Sequence, residues 1–319
     1  MKKLKILLIF IMLIIVGIFF WYQNGLQPVD KNNTSQQLFV VSQGSGLRAI
    51  ASDLKQANLI KDPTVFFLEV KKLGLDGDIQ AGDFRLSPSM TTDEIIKTMT
   101  HGTLDVWVTI PEGLRAEEVA AILQKKLPTY NSSWTATLKA HEGYLFPDTY
   151  LFPNDANINT VVQIMTNNFD KKWAIAKSQQ TNSLSENDAV ILASIVQREA
   201  ITPHDMQYVA STLENRLAIG MALGSDVTVE YVLGYQPDTK TWWKQNLTAA
   251  DLSVNSPYNT RLNAGLPPAP ISSPGLTALE AVMNPPKSNY LYYVSDKNGV
   301  LHFAQTLQEH NANVARYGE

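Results

Sequence analysis

Cysteine is absent from all 319 residues. Disulfides, a lipid-modified N-terminal cysteine, a thiol nucleophile and cysteine-ligated zinc are excluded with it. Histidine is scarce too: the 5 present are scattered, with no pair at helical ligand spacing. No metal and no cofactor is therefore expected. His141-Glu142 does not open an HExxH zinc motif, because the fifth position is Leu145. No Gly-x-Ser-x-Gly elbow occurs, which leaves serine hydrolysis without support. Positive charge is not in excess either. The net charge of −4 argues against a nucleic-acid partner, which usually meets a basic face. What remains is a chain with 45% hydrophobic and 18% charged residues, a globular composition long enough for two or three domains.

The N-terminus reads MKKLK and then runs apolar from Ile6 to Tyr22. That run is at the short end of a membrane span of about 20 residues. It ends in Phe19, Phe20, Trp21 and Tyr22, with no small-residue cleavage site behind it. Aromatics of this kind suit a membrane interface, so an uncleaved anchor is expected over 1–24. Lys2, Lys3 and Lys5 put the N-terminus in the cytoplasm. The rest of the chain is then periplasmic, held at the inner membrane by a single pass. Residues 25–37, rich in Gln, Asn, Asp, Ser and Thr, read as a flexible tether.

Two later stretches resemble each other. FVVSQGSGLRAIASDLKQANLI begins at Phe39 and VWVTIPEGLRAEEVAAILQKKL at Val106. Each reads as strand, turn, Gly-Leu-Arg-Ala and amphipathic helix. After the first, Asp62-Pro63 starts a helix that Gly74 ends, Ile79 to Leu86 reads as a strand, and a third helix follows from Asp93 to Thr100. This strand–helix–helix–strand order over 38–104 resembles the LysM-like modules that bind N-acetylated glycans; a mere spacer would look the same. Residues 105–184 form a second αβ module. They include HEGYLFPDTYLFP from His141, which could line a glycan groove through Glu142, Tyr144 and Asp148, or plug a junction with its aromatics.

Residues 185–319 carry the stretch on which a chemical reading turns. A capping box at Ser185 starts a helix ending in ILASIVQREA. Leu192, Ile195 and Val196 make one apolar stripe, and Glu199 is the next residue on it, with Ser194, Gln197 and Arg198 on the polar face. A carboxyl in a core position would have a raised pKa and suit a general acid; the alternative is a rim ion pair with an Arg or Lys. A second helix follows from Pro203, and Glu214, Asn215 and Arg216 near its end read either as a solvated helix terminus or, through Asn and Arg, as a contact to an acylamino sugar. Asp226 to Tyr231 reads as a turn and a short strand or helix, and Trp242 and Trp243 fall in a helical stretch. Prolines around Tyr258-Asn259 brace an ordered loop. A β-hairpin over 290–304 and a helix from Gln308 to Tyr317 close the chain.

ILASIVQREA, NRLAIGMAL, SDVTVEY, SPYNT, GLPPAPISSPG and YLYYVSDKNGVLHFAQTLQEHN, in this order behind EGYLFPDTY and one anchor, resemble the MltG (YceG-like) endolytic murein transglycosylases. The resemblance implies an α+β fold: one transmembrane helix, a LysM-like αβ module and a mixed α+β catalytic domain of YceG-like type. It also implies a peptidoglycan lyase that leaves 1,6-anhydroMurNAc ends within glycan strands, with strand release at the inner membrane and cell-wall synthases as candidate partners. The family's catalytic acid maps onto Glu199. Asn215, Arg216, Asp226, Thr228, Tyr231, Tyr258 and Asn259, with Glu142, Tyr144 and Asp148, are the expected groove residues. The chain departs from the family's common pattern at Gln197, Val227 and Arg261. Rival readings are a tethered glycan-binding scaffold without catalysis, and a hydrolase with Asp226 or Glu142 as second carboxylate.

Overall fold

The computed structural model describes the chain except Met1, Gln43, residues 101–104 and Glu319, and of residues 2–9 it describes the backbone alone. The chain forms two units, Met1–Val106 with Leu151–Asp155, and Trp107–Tyr150 with Ala156–Glu319.

The first unit contains α1 (Lys2–Gly25), β1 (Gln37–Val41), α2 (Leu47–Gln56), α3 (Pro63–Leu73), β2 (Gly82–Leu86) and α4 (Thr92–Thr100). β1 and β2 pair antiparallel with Phe39 opposite Phe84. Both rings are buried, whereas Leu38 and Val40 face outward, the period-2 pattern of a half-buried strand. Leu54, Phe66, Ile95, Ile96 and Met99 complete the core. Helix α3 starts as expected: Asp62 Oδ1 accepts from Thr64 N at 2.7 Å, Pro63 is the first residue, and Gly74 closes the helix in the left-handed region. The expected strand–helix–helix–strand order is present. Its expected end at residue 104 lies outside the described residues.

The tether expectation gives way to an ordered segment. Trp21 Nε1 donates to Asp62 Oδ2 at 3.0 Å. Thr92 donates through N and Oγ1 to Leu26 O and Gly25 O, each at 3.1 Å. Asp30 N donates to Pro88 O at 3.0 Å, and Ser87 Oγ to Asn33 O at 2.9 Å. Polar composition suggested freedom, but here the backbone groups find partners on the folded unit. Among the described residues no helix is long and apolar enough to cross a membrane. The expected span draws Ile6 to Ile9 from residues whose side chains lie outside the description.

β3 (Asp105–Thr109) begins in the first unit and leads into the second, which contains α5 (Ala116–Lys126) and α6 (Trp134–Lys139); β4 (Thr149–Pro153) starts in the second unit and ends in the first. Helices α7 (Ile158–Lys177), α8 (Glu186–Glu199), α9 (Pro203–Ala218), α10 (Asp226–Leu233), α11 (Ala249–Leu252) and α12 (Leu276–Met283) follow. The chain ends with β5 (Tyr292–Ser295), β6 (Leu301–Ala304) and α13 (Leu307–Tyr317). Helix α12 packs on α7, α8 and α9, and their apolar faces form the main core with Phe169, Leu192, Val209, Leu213 and Leu279. β5 and β6 pair as an antiparallel hairpin. Two expectations are refined. Asp226 to Tyr231 is helical rather than a strand, and Trp242-Trp243 lies outside any helix, after an isolated bridge between Gln236 and Thr241.

The Gly-Leu-Arg-Ala repeat is local rather than architectural. In the first copy Gly46 is the residue before the helix and Arg48 is exposed. In the second the helix starts two residues later, and Arg115 is buried. Its guanidinium lies 4.3 Å from the Tyr231 ring centre and 4.7 Å from that of Trp242, and Nη1 donates to Tyr231 O at 3.1 Å.

Candidate active site

Between Ala189 and Val196 helix α8 is buried on every side, so Ser194 does not lie on an exposed polar face, while Gln197 and Arg198 are half-buried. Ser194 Oγ donates to Ile191 O at 2.7 Å and accepts from Ile271 N at 3.0 Å. Ser272 Oγ donates to Ser194 O at 3.0 Å, and Gln197 Oε1 accepts from Gly275 N at 2.9 Å. The proline-rich segment 266–275 thus supplies the hydrogen-bonding partners that water would give a surface helix. Arg198 lies flat on Trp243, 3.9 Å from the ring centre.

Glu199 is the last residue of this helix and is partly buried. Its Oε1 accepts from Ser225 Oγ, and the Tyr293 hydroxyl stands beside the same carboxyl and favours its anion. No cation forms a salt bridge with it among the described residues. The rim-pair reading is therefore not what this position does. Burial is the largest influence and raises the Glu199 pKa, and the nearby Asp226 charge adds to it. The two hydroxyl donors and Arg216 act the other way. A carboxyl at a helix C-terminus also meets the negative end of the helix dipole, which disfavours its anion. Desolvation thus favours the neutral acid, while two hydroxyls beside it favour its anion.

Glu199, Arg216, Met221, Ala222, Gly224, Asp226, Arg261, Tyr293 and His310 line one cavity of ≈ 370 Å³. Arg216, Gly224 and Asp226 are each held by neighbouring groups. Arg216 Nε donates to Leu291 O at 2.6 Å and Nη1 to Leu223 O. Gly224, at φ 62°, donates through N to Thr260 O at 2.9 Å, a backbone conformation that favours glycine. Asp226 Oδ1 meets Arg261 Nε at 2.5 Å. The departure from family pattern at Arg261 is therefore the partner of a cavity carboxylate.

The remaining expected groove residues sit elsewhere. Thr228 is buried: Oγ1 donates to Ser225 O at 2.6 Å and pairs with Thr260 Oγ1 at 2.9 Å, and Thr260 Oγ1 accepts from Ser225 N at 3.0 Å. These bonds hold the Ser225 backbone, and through it the hydroxyl aimed at Glu199. Asn259, also buried, braces its loop by donating to Leu252 O at 3.0 Å and Val254 O at 2.9 Å. Asn215 Nδ2 donates to Ser288 O and Tyr290 O, both at 3.0 Å, and lines a different cavity.

Glu142 is buried apart from the cavity lining. Its Oε1 accepts from Ala116 N, at the start of α5, at 2.9 Å, and its Oε2 faces the Tyr231 hydroxyl at 3.5 Å. Desolvation pushes its pKa up to about 8, against the pull of the Ala116 hydrogen bond. Tyr231 and Tyr258 face each other, ring centres 5.1 Å apart. Leu145, Phe146 and Tyr150 are core residues, so most of the aromatic loop acts as the plug. Gly143, at φ 85°, passes so close to Pro270 that a Cβ would lie 2.5 Å from its ring. Tyr144 packs on Phe169, and exposed Asp148 accepts from Asn168 Nδ2 at 3.0 Å.

Ser225, Tyr293, His310 and Glu230 were not singled out by the sequence reading, and Arg261 only as a departure from the family's pattern. Ser225 carried a signal, since a serine just ahead of a helix is an N-cap candidate. Tyr293 carried none, being one aromatic among several in its strand. Glu230 lies one turn after Asp226 on α10, and burial, opposed by Arg198, pushes its pKa up to about 7.

Comparison with known proteins falls on the same ground. The model of the YceG-like family matches residues 39–316. The endolytic murein transglycosylase of Bacillus subtilis is 32% identical over 336 residues, covering 96% of this chain and 91% of that protein. The endolytic murein transglycosylase of Streptococcus pneumoniae R6 is 28% identical over 355 residues, covering 97% of this chain and 64% of that protein. A crystal structure of a yceG-like protein from Listeria monocytogenes superposes with a TM-score of 0.57 at 31% identity, covering 87% of this chain and 99% of that one.

Proposed function

This chain belongs to the YceG-like family, and from that premise we propose that it is an endolytic murein transglycosylase in which Glu199 serves first as acid and then as base. The observation that carries the reading is the Glu199 carboxyl itself, desolvated, without a salt bridge among the described residues, and met by the Ser225 and Tyr293 hydroxyls in a polar cavity.

Protonated Glu199 gives its proton to the oxygen joining MurNAc C1 to GlcNAc. The C1–O bond breaks and positive charge develops on the muramyl ring. The carboxylate left behind is stabilised by Ser225 and Tyr293, each of which donates to it. It then takes the proton of the muramyl C6 hydroxyl, and O6 closes on C1. Proton and leaving group balance, water is not consumed, and Glu199 ends protonated as it began. One carboxyl suffices because the nucleophile is intramolecular, with the proximity advantage that brings. Arg216, pinned by two backbone carbonyls, and the Asp226–Arg261 pair supply fixed charge at the cavity wall.

A hydrolytic second reading has one observation in its favour: Asp226 is a carboxylate in the same cavity. Its ion pair with Arg261 opposes the role of free base. Digesting purified peptidoglycan with the wild-type chain and with Glu199→Gln separates the cases by mass spectrometry. Anhydro ends that vanish in the variant are expected. Reducing ends would replace this mechanism with hydrolysis, and no cleavage by the wild type would leave a glycan-binding scaffold.

The first unit is read as a LysM-like glycan contact. Helix α1 is read as the membrane anchor at the inner membrane, N-terminus inside, which would place cleavage where new strands emerge beside cell-wall synthases. In support, α1 exposes Phe10, Ile11, Met12, Leu13, Phe19 and Phe20, an apolar surface with no protein cover.

A further inference from the structure

A second cavity of ≈ 510 Å³ opens in the second unit between the C-terminal half of α9 and the turn that follows α12. Asn182, Ser211, Glu214, Asn215, Asn284 and Lys287 are among the residues that line it. It is a built feature rather than a gap. Ser211 Oγ pairs with Ser288 Oγ at 2.7 Å, and Asn215 Nδ2 donates to Ser288 O at 3.0 Å, so the turn is tied to α9. Pro285 and Pro286 fix its backbone further.

Two groups in this cavity have bonding capacity to spare. Glu214 Oε1 accepts from Asn182 Nδ2, which also donates to Val282 O at 2.7 Å. Oε2 of Glu214 accepts no hydrogen bond among the described residues, although the residue is partly buried. Lys287 is exposed and pairs with no carboxylate among the described residues. No aromatic ring lines the cavity, so it offers no stacking plane for a sugar. A half-used carboxylate and an unpaired ammonium instead complement a ligand that carries both charges.

The position links it to the site of cleavage. Asn215 faces this cavity, and the next residue, Arg216, lines the cavity of Glu199. The strip from Ser288 to Tyr293 joins the two, a path of at most about 16 Å at ~3.3 Å per extended residue. A peptide of four residues reaches about 13 Å at the same rise.

Resting on the transglycosylase reading, we propose that this cavity is a subsite for the peptide stem of a muramyl residue held beside Glu199. Glu214 takes the ammonium of an uncrosslinked diamino acid, and Lys287 takes a stem carboxylate. The subsite makes the enzyme prefer stem-bearing strands with free, uncrosslinked ends. A stem whose side-chain amine has been acylated in a crosslink has lost the ammonium and gains nothing from Glu214, and a stem that has given its terminal carboxyl to a crosslink loses the contact to Lys287.

The test compares KM and kcat on stem-bearing strands and on strands stripped of peptide, for the full chain and for Glu214→Gln and Lys287→Ala. A wild-type KM at least tenfold lower on stem-bearing strands is expected, with both variants bringing the two KM values together. Calorimetric titration of a free tetrapeptide stem into the Glu199→Gln chain reads the subsite without catalysis. Binding lost when Glu214→Gln is added supports the proposal. A wild-type preference that the variants leave intact, or peptide binding indifferent to Glu214, overturns it. Should the wild type cut neither substrate, the transglycosylase reading fails, and the titration still decides the subsite.

Discussion

Replacing Glu142 by Gln changes how stability depends on pH, and the size follows from its setting. Glu142 is buried, and its carboxyl titrates at about 8 instead of 4.5, chiefly through desolvation. A raised folded-state pKa means that the folded chain holds a proton the unfolded chain has released. The associated stability is fully present below the unfolded value and drains away as pH rises through the folded one. The rise from 4.5 to about 8, at ~1.36 kcal/mol per pH unit, amounts to on the order of 4–5 kcal/mol lost across that window. Glutamine mimics the neutral acid: its oxygen can still accept from Ala116 N, and its amide can meet the Tyr231 hydroxyl. Urea unfolding of both proteins at several pH values between about 4 and 9 isolates the effect, because other titrating groups cancel in the difference. The variant is expected to gain on the wild type steadily as pH rises. Parallel curves would show that Glu142 is ionised in the fold, which would remove the desolvation argument and reopen Glu142 as a candidate base.

Ser225→Ala removes a donor to the Glu199 carboxylate, worth about 1.5–3 kcal/mol for a charged acceptor. The Glu199 pKa then rises further, so the alkaline limb of the rate profile moves up while the maximum rate falls at least about tenfold; an unmoved limb would exclude the hydroxyl from the mechanism. Ser194→Ala leaves the buried Ile271 N–H without its acceptor, and denaturation should report a loss of about 1–3 kcal/mol. Arg261→Ala breaks a partly exposed pair with Asp226, so unfolding free energy should change by less than about 1 kcal/mol. Its effect should appear in KM on glycan strands, and an unchanged KM would place the pair outside the substrate's reach.

Legibility in the sequence followed the reach of the interactions involved. Local signals came through: Asp62-Pro63 and Gly74 bound α3, Ser185 starts α8, and the turn at Asn298-Gly299 closes the hairpin. Glu199 stood out because helical period alone places it on an apolar stripe. What could not be read were contacts made across the chain. Ser194 and Gln197 look like a wet face until the segment 266–275 covers them. Asn259, Thr228 and Tyr258 sit in motifs that suggest substrate binding, yet Asn259 and Thr228 spend their polar atoms bracing loops. Tyr293 reaches Glu199 from a distant part of the chain, and no spacing rule joins them. The Gly-Leu-Arg-Ala repeat misled in the other direction, since identical residues fall at different points of their helices.

The central claim is that Glu199 directs an intramolecular closure instead of the attack of water. Digestion of peptidoglycan in heavy-oxygen water tests this most directly, with the new muramyl ends read by mass spectrometry. The account predicts ends lighter than the hydrolysed form by one water and free of heavy oxygen, all of them lost in Glu199→Gln. Heavy oxygen at the muramyl C1 of the new ends would contradict it.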